Sequence, residues 1–338
     1  MTPTLLVVLG ALSLIATIVT LVRVRHPASF SVPIMMTSWL LGEYPLFFIG
    51  TQAIAAAALA ALGGLDEPQG IVGLVLYGVS WVGLLVARHV STLAEPTAEA
   101  ALTEALGDDY VASLGPERQA SLRNEIDPAA IRHPLRFDDS GLTIDRDIPY
   151  GQHGTRNLLD IYRRTDGVAG APVVLQTHGG AWMIGHQAQQ AQPLLHQWAR
   201  SGYVCVSMNY RLSPRARFPD HIIDVKRAIA WVRDNIAGYG GDPTTIVLTG
   251  GSAGGHLASL AALTPDLTEW QPGFEEVDTS VAGCAPFYGP ADFRDRHAIR
   301  GKLASMEPML GRMVMPVKPV SYTHLTLPTT SALCSSRW

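Results

Sequence analysis

Charge is distributed very unevenly along this 338-residue chain, and that limits what it can fold into. Residues 1–88 hold only six charged side chains: Arg23, Arg25, Glu43, Asp66, Glu67 and Arg88. The other 250 residues hold 48, close to the share of an ordinary globular domain. One uniform soluble domain is therefore excluded. A disordered chain is excluded too, because 47% of the residues are hydrophobic. The net charge of −4 and the lack of any basic block argue against a nucleic-acid partner. Cys205, Cys284 and Cys334 are far apart and odd in number, which suggests neither a disulfide framework nor a zinc site.

Three apolar runs fill the first part: Leu5–Val22, Tyr44–Leu65 and Ile71–Ala87. Each approaches the ~20 residues a helix needs to cross roughly 30 Å of hydrocarbon. About three transmembrane helices are expected within residues 1–88. Arg23 and Arg25 follow the first run, Asp66 and Glu67 separate the second and third, and Arg88 follows the third. Basic flanks stay cytoplasmic, so the N-terminus is expected outside and everything beyond Arg88 in the cytoplasm. The stretch Ser31–Leu41 reads as an interfacial segment or an extension of the second helix. Glu43 would then sit at headgroup level. Residues 89–140 read as a helical linker, with Gly107 able to stop a helix over Ser91–Leu106.

From residue 141 the pattern alternates between strand and helix. Thr143–Tyr150 and Asn157–Arg163 read as two strands joined by a turn. Pro172–Thr177, Tyr203–Met208, Thr245–Thr249 and Val281–Phe287 read as buried strands. Helical sequence falls at Ala188–Arg200, Asp220–Ile236 and Ala253–Leu263. Such alternation predicts an α/β fold, a mostly parallel sheet covered on both faces.

Two strand ends carry the chemistry. Gly250-Gly251-Ser252-Ala253-Gly254 is G-x-S-x-G between a buried strand and a helix, the context in which that pattern marks a nucleophilic serine. Small neighbours let strand and helix approach, and the helix N-terminus favours negative charge beside it. His178-Gly179-Gly180-Ala181-Trp182 follows another strand directly. Its glycines offer backbone N–H groups to a substrate oxyanion, and the N–H of Ala253 completes that hole. His178 reads as a brace for the loop rather than a base.

Together with Asn209-Tyr-Arg-Leu-Ser-Pro, Phe218-Pro-Asp, Asp224–Trp231 and Tyr239-Gly-Gly-Asp-Pro, these motifs resemble the hormone-sensitive-lipase-like branch of the α/β-hydrolases. The likeness is strongest to bacterial carboxylesterases and lipases with an N-terminal membrane region, and it covers residues 142–300. It implies hydrolysis of small-molecule or lipid carboxylic esters through an acyl-enzyme, with no metal and no organic cofactor. It implies Ser252 as catalytic nucleophile and Gly179, Gly180 and Ala253 as oxyanion-hole donors. Ala181 stands where the family has a third glycine, and Gly251 where it has an acidic residue. Two other readings share the motifs: an arylformamidase-like amide hydrolase, and a non-catalytic membrane protein that keeps the fold for binding.

A serine nucleophile needs a histidine base and an orienting carboxylate, which in this fold follow it along the chain. Only 86 residues follow Ser252, while each strand–helix unit takes ~30. Asp292, His297, His256 and His324 are poor candidates by position. The run Val320–Trp338 shows no period continuous with what precedes it and resembles translated sequencing adapter. Residues 321–338 are therefore expected to be a non-native tail. The hydrolase domain, residues 141–320, is expected to be a C-terminally truncated fragment without the triad Asp and His.

Overall fold

The computed structural model describes residues 1–22, 31–116, 119, 136–265, 267–291 and 313–315. Arg23, Arg25, Asp292, His297, His324 and the tail lie outside the described residues. The chain divides into two compact units, Met1–Gly115 and a sheet unit that follows it.

In the first unit three helices are long and apolar enough to cross a membrane. They are α1 (Thr2–Leu21), α3 (Pro45–Leu59, prolonged by a π-type turn over Ala60–Gly64) and α4 (Pro68–Ser91). The stretch expected to be interfacial or an extension is a helix of its own, α2 (Ser31–Glu43). It ends because Pro45 starts α3 and cannot donate back into α2. Glycine sets how closely α1 and α4 pack. A Cβ on Gly10 would lie 2.6 Å from the Gly73 carbonyl oxygen. The hydroxyls of Thr17 and Ser80 meet nearby at 2.8 Å, and Trp81 Nε1 donates to Gln52 Oε1 at 3.0 Å. Close backbones and a few interhelical hydrogen bonds are how helices associate where burial of apolar surface gives no driving force. Leu12, Ile15, Phe47, Ile54, Val75 and Val82 face outward. The helix α5 (Ala94–Leu106) follows and stops at Gly107, whose φ is 92°.

The second unit is built on a sheet of six described strands in the order β1-β2-β4-β3-β5-β6. These are β1 (Leu142–Pro149), β2 (Leu158–Arg164), β3 (Ala171–Thr177), β4 (Val204–Met208), β5 (Gly241–Gly251) and β6 (Gly283–Phe287). The pairs β1/β2 and β2/β4 are antiparallel, and β4, β3, β5 and β6 run parallel. The period-two alternation of a strand divides the core. Val173 and Leu175 of β3 point to one face, with Ile222, Val225 and Ile229 of α7 (Asp220–Asn235) and Leu257 of α8 (Ala253–Leu263). Val174 points to the other, with Leu195 and Ala199 of α6 (Gln192–Arg200).

Both β4 and β5 flank β3, so the chain's direction of travel across the sheet reverses at β3. Ligand crevices in such sheets open at the carboxyl ends of the strands beside that reversal. Thr177 ends β3 opposite Gly250 of β5, so the two chemistry-bearing motifs emerge side by side. The strand β6 departs from expectation. It was expected to be buried, but Ala285, Pro286 and Phe287 are exposed, because no described strand pairs with its outer edge.

Candidate active site

Ser252 sits between β5 and α8 at φ 54°, ψ −119°, a conformation that costs energy for a residue with a Cβ. Its N–H donates to the Phe287 carbonyl at 2.9 Å, and its own carbonyl accepts the His256 N–H at 3.0 Å. The glycines around it are required by contact. A Cβ on Gly250 would lie 2.5 Å from the Thr177 carbonyl oxygen, and one on Gly254 only 2.0 Å from it. At Gly251, where the related family carries an acidic side chain, a Cβ would lie 2.7 Å from the Tyr288 hydroxyl. Tyr288 is largely exposed, so a side chain at Gly251 would have to displace the end of that ring rather than any backbone.

The loop after β3 runs against this turn. A Cβ on Gly179 would be 3.4 Å from Ser252 Cβ. Gly180, Ala181 and Trp182 all have positive φ, at 122°, 51° and 60°. That run curls the loop so that the Gly180 carbonyl accepts the N–H groups of Met183 and Ile184, at 2.9 and 3.0 Å. Among the described residues, the N–H groups of Gly180, Ala181 and Ala253 donate to no acceptor. The Gly179 N–H is engaged: it donates to Gln190 Oε1 at 2.8 Å. Gln190 went unnoticed in the sequence because it lies in a polar run, Gln187 to Gln192, with no pattern to single it out.

His178 lies fully buried and stacks on Tyr210 with centroids 4.4 Å apart. Its Nδ1–H donates to the Gly179 carbonyl at 2.8 Å, and its own carbonyl accepts the Tyr210 hydroxyl at 3.0 Å. Burial pushes its pKa down to about 4, so the ring is neutral near pH 7 and braces the loop. His256 is one turn into α8, buried edge-on to Trp182 at 5.5 Å. No described histidine has a recorded hydrogen bond to the Ser252 hydroxyl.

The Asn209–Pro214 segment shows why its residue types recur together. Asn209 Oδ1 accepts the Gln187 N–H at 3.1 Å, and its Nδ2 donates to Thr155 O at 2.8 Å. Arg211 donates to both oxygens of the buried Asp224 and, from Nη1, to Asp220 at 2.8 Å. The Ser213 N–H donates to Trp182 O at 2.8 Å. One short segment thus ties the glycine loop to α7. No group of residues able to hold a metal ion occurs among the described residues.

The BD-FAE family model matches residues 159–327. A probable carboxylic ester hydrolase of Mycobacterium tuberculosis, LipM, is 44% identical over 287 residues, 82% of this chain and 65% of its own length. Esterase LipQ of the same organism is 38% identical over 312 residues, 87% of this chain and 68% of its own. A solved truncated carbohydrate esterase from gut microbiota is 24% identical, with a TM-score of 0.47 over 56% of this chain and 71% of that one. The chain spans slightly less than two thirds of LipM. With the G-x-S-x-G motif at its strand–helix junction and the glycine loop beside it, the chain belongs to the BD-FAE family, among the hormone-sensitive-lipase-like carboxylesterases of the α/β-hydrolase fold.

Proposed function

We propose that the protein is a membrane-anchored serine carboxylesterase and that this chain carries the nucleophile half of its site. The observation that carries the reading is the strained backbone of Ser252, between β5 and the N-terminus of α8 and against the loop of Gly179 and Gly180. In the reaction Ser252 Oγ attacks the ester carbonyl carbon. The carbonyl oxygen becomes an oxyanion facing the N–H groups of Gly180 and Ala253, with the α8 N-terminus adding positive potential. The tetrahedral intermediate collapses, the alcohol leaves with a proton, and water hydrolyses the acyl-Ser252 ester to the free acid.

The proton of Ser252 Oγ needs a base, and none of the described residues supplies one. His178 is stacked on Tyr210 and His256 packs on Trp182. We assign the base and its carboxylate to the strand–helix units that follow β6 in the complete enzyme. The exposed outer edge of β6 and the partial coverage of LipM support that assignment. The apolar helices α1, α3 and α4 support a multi-pass membrane anchor, and the basic flanks in the sequence support a hydrolase on the cytoplasmic side.

The test is Ser252→Ala in the full-length gene product. Hydrolysis of a short-chain ester should fall by ~10⁶ in kcat, and labelling by a fluorophosphonate probe should disappear. Retention of more than a few per cent of either would show that another group is the nucleophile.

A further inference from the structure

A cavity of about 460 Å³ opens beside the glycine loop. Its charged and titratable lining is His153, Arg156, Arg211, Arg215 and Asp220, and Met183 and Leu212 give it apolar wall. Arg211 faces two carboxylates, Asp224 and Asp220, so that trio carries a net charge of −1. Arg156 and Arg215 form no ion pair among the described residues. The recorded hydrogen bond of Arg156 goes to the Gly185 carbonyl at 3.1 Å. Three guanidiniums (Arg156, Arg211, Arg215) against two carboxylates (Asp220, Asp224) leave the site with a net charge of +1, in a chain whose net charge is −4. The local excess runs against the composition.

A guanidinium presents paired donors that match the oxygens of a carboxylate or phosphate, and it does so best where a wall shields it from water. We propose that this cavity binds an oxyanion, a carboxylate or phosphate monoester, carried on an aliphatic stem. Arg156 and Arg215 hold the charge, and Met183 and Leu212 pack the stem. The cavity is tied to the glycine loop at three points. Met183 N–H donates to Gly180 O at 2.9 Å, Ser213 N–H to Trp182 O at 2.8 Å, and Arg156 to Gly185 O. An occupant thus rests on the segment that carries the oxyanion donors. Resting on the esterase reading of Ser252, this makes the preferred substrate an ester that bears a second, anionic group.

Binding is tested by calorimetry on the detergent-solubilised 338-residue chain at constant ionic strength, with hexyl phosphate, hexanoate, inorganic phosphate and hexanol. Hexyl phosphate should bind at least tenfold more tightly than either inorganic phosphate or hexanol, and hexanoate at least fivefold more tightly than hexanol. Arg215→Gln, which breaks no recorded hydrogen bond, should weaken hexyl phosphate at least fivefold. Arg156→Gln should do the same, with thermal unfolding checked because it also loses the Gly185 contact. Arg227→Gln and Ser252→Ala should leave binding unchanged. Hexanol binding as tightly as hexyl phosphate, inorganic phosphate equalling it, or full affinity in Arg215→Gln would overturn the proposal. Since Ser252→Ala still binds, failure here is distinguishable from failure of the esterase reading. In the full-length enzyme, a monoester of a dicarboxylic acid should then exceed its neutral analogue in kcat/KM, and Arg215→Gln should remove the difference.

Discussion

Gly254 has almost no room to change. The Cβ of an alanine there would meet a backbone carbonyl at 2.0 Å, and no side-chain rotation could relieve the contact. Gly254→Ala should cost about 3 kcal/mol, the upper end of what overpacking a tight core usually does, read as a lower denaturant midpoint. His178 and His221 are constrained in another way. Burial pushes each pKa from 6.5 down to about 4. Between those values the unfolded chain takes up protons that the folded chain refuses. The stability is fully present above about pH 6.5 and is lost as pH falls toward 4. From pH 7 to 5 each histidine should remove about 2 kcal/mol. His221→Gln should lessen the acid loss by that amount in urea unfolding followed by tryptophan fluorescence. An unaltered pH dependence would mean that His221 titrates as it does in the unfolded chain.

At the scale of elements, most of the strands and helices could be read from the chain, because each carries a plain period. Pro172–Thr177 is an uninterrupted apolar run, and β3 spans Ala171–Thr177. Ala253–Leu263 is rich in small residues and forms α8 over those residues. What stayed hidden depends on how segments meet in the fold. The capture of the Gly179 N–H by Gln190 is a hydrogen bond within one loop, set by how the loop folds back on itself and carrying no periodic signature. The exposure of β6 follows from which strands lie beside it, not from its own residues, which read as buried. The separate helix α2 was not legible from Ser31–Leu41 alone: its end is set at Pro45, and whether a proline kinks or ends a helix depends on what packs around it. The orientation of the apolar helices is the part open to direct experiment. A reporter fused after Gly107, beyond the end of α5, should be active in its cytoplasmic form and silent as a periplasmic phosphatase. The opposite pattern would reverse the assignment made from Arg23, Arg25 and Arg88.

For the molecule as a whole, the proposed nucleophile and oxyanion donors meet no base among the described residues and should give very little turnover. Backbone donors alone leave a residual ~10³–10⁴ over water in comparable sites that have lost a triad member. The 338-residue chain should therefore show no ester hydrolysis above background in a standard chromogenic assay. A chain extended through further strand–helix units should be active. Normal turnover from the 338 residues would place a base among His297 or His324. Whatever supplies the base, the positions of Ser252 and the glycine loop are set by the pairing of Thr177 with Gly250 in the β3–β5 ladder. The proposed nucleophile and its proposed oxyanion donors are thus spaced by main-chain hydrogen bonds. Side chains around the cavity can drift in size and charge without disturbing that spacing. Substitutions in the cavity lining are then expected to change which acid or alcohol is accepted while leaving the spacing of Ser252 and the glycine loop as it is.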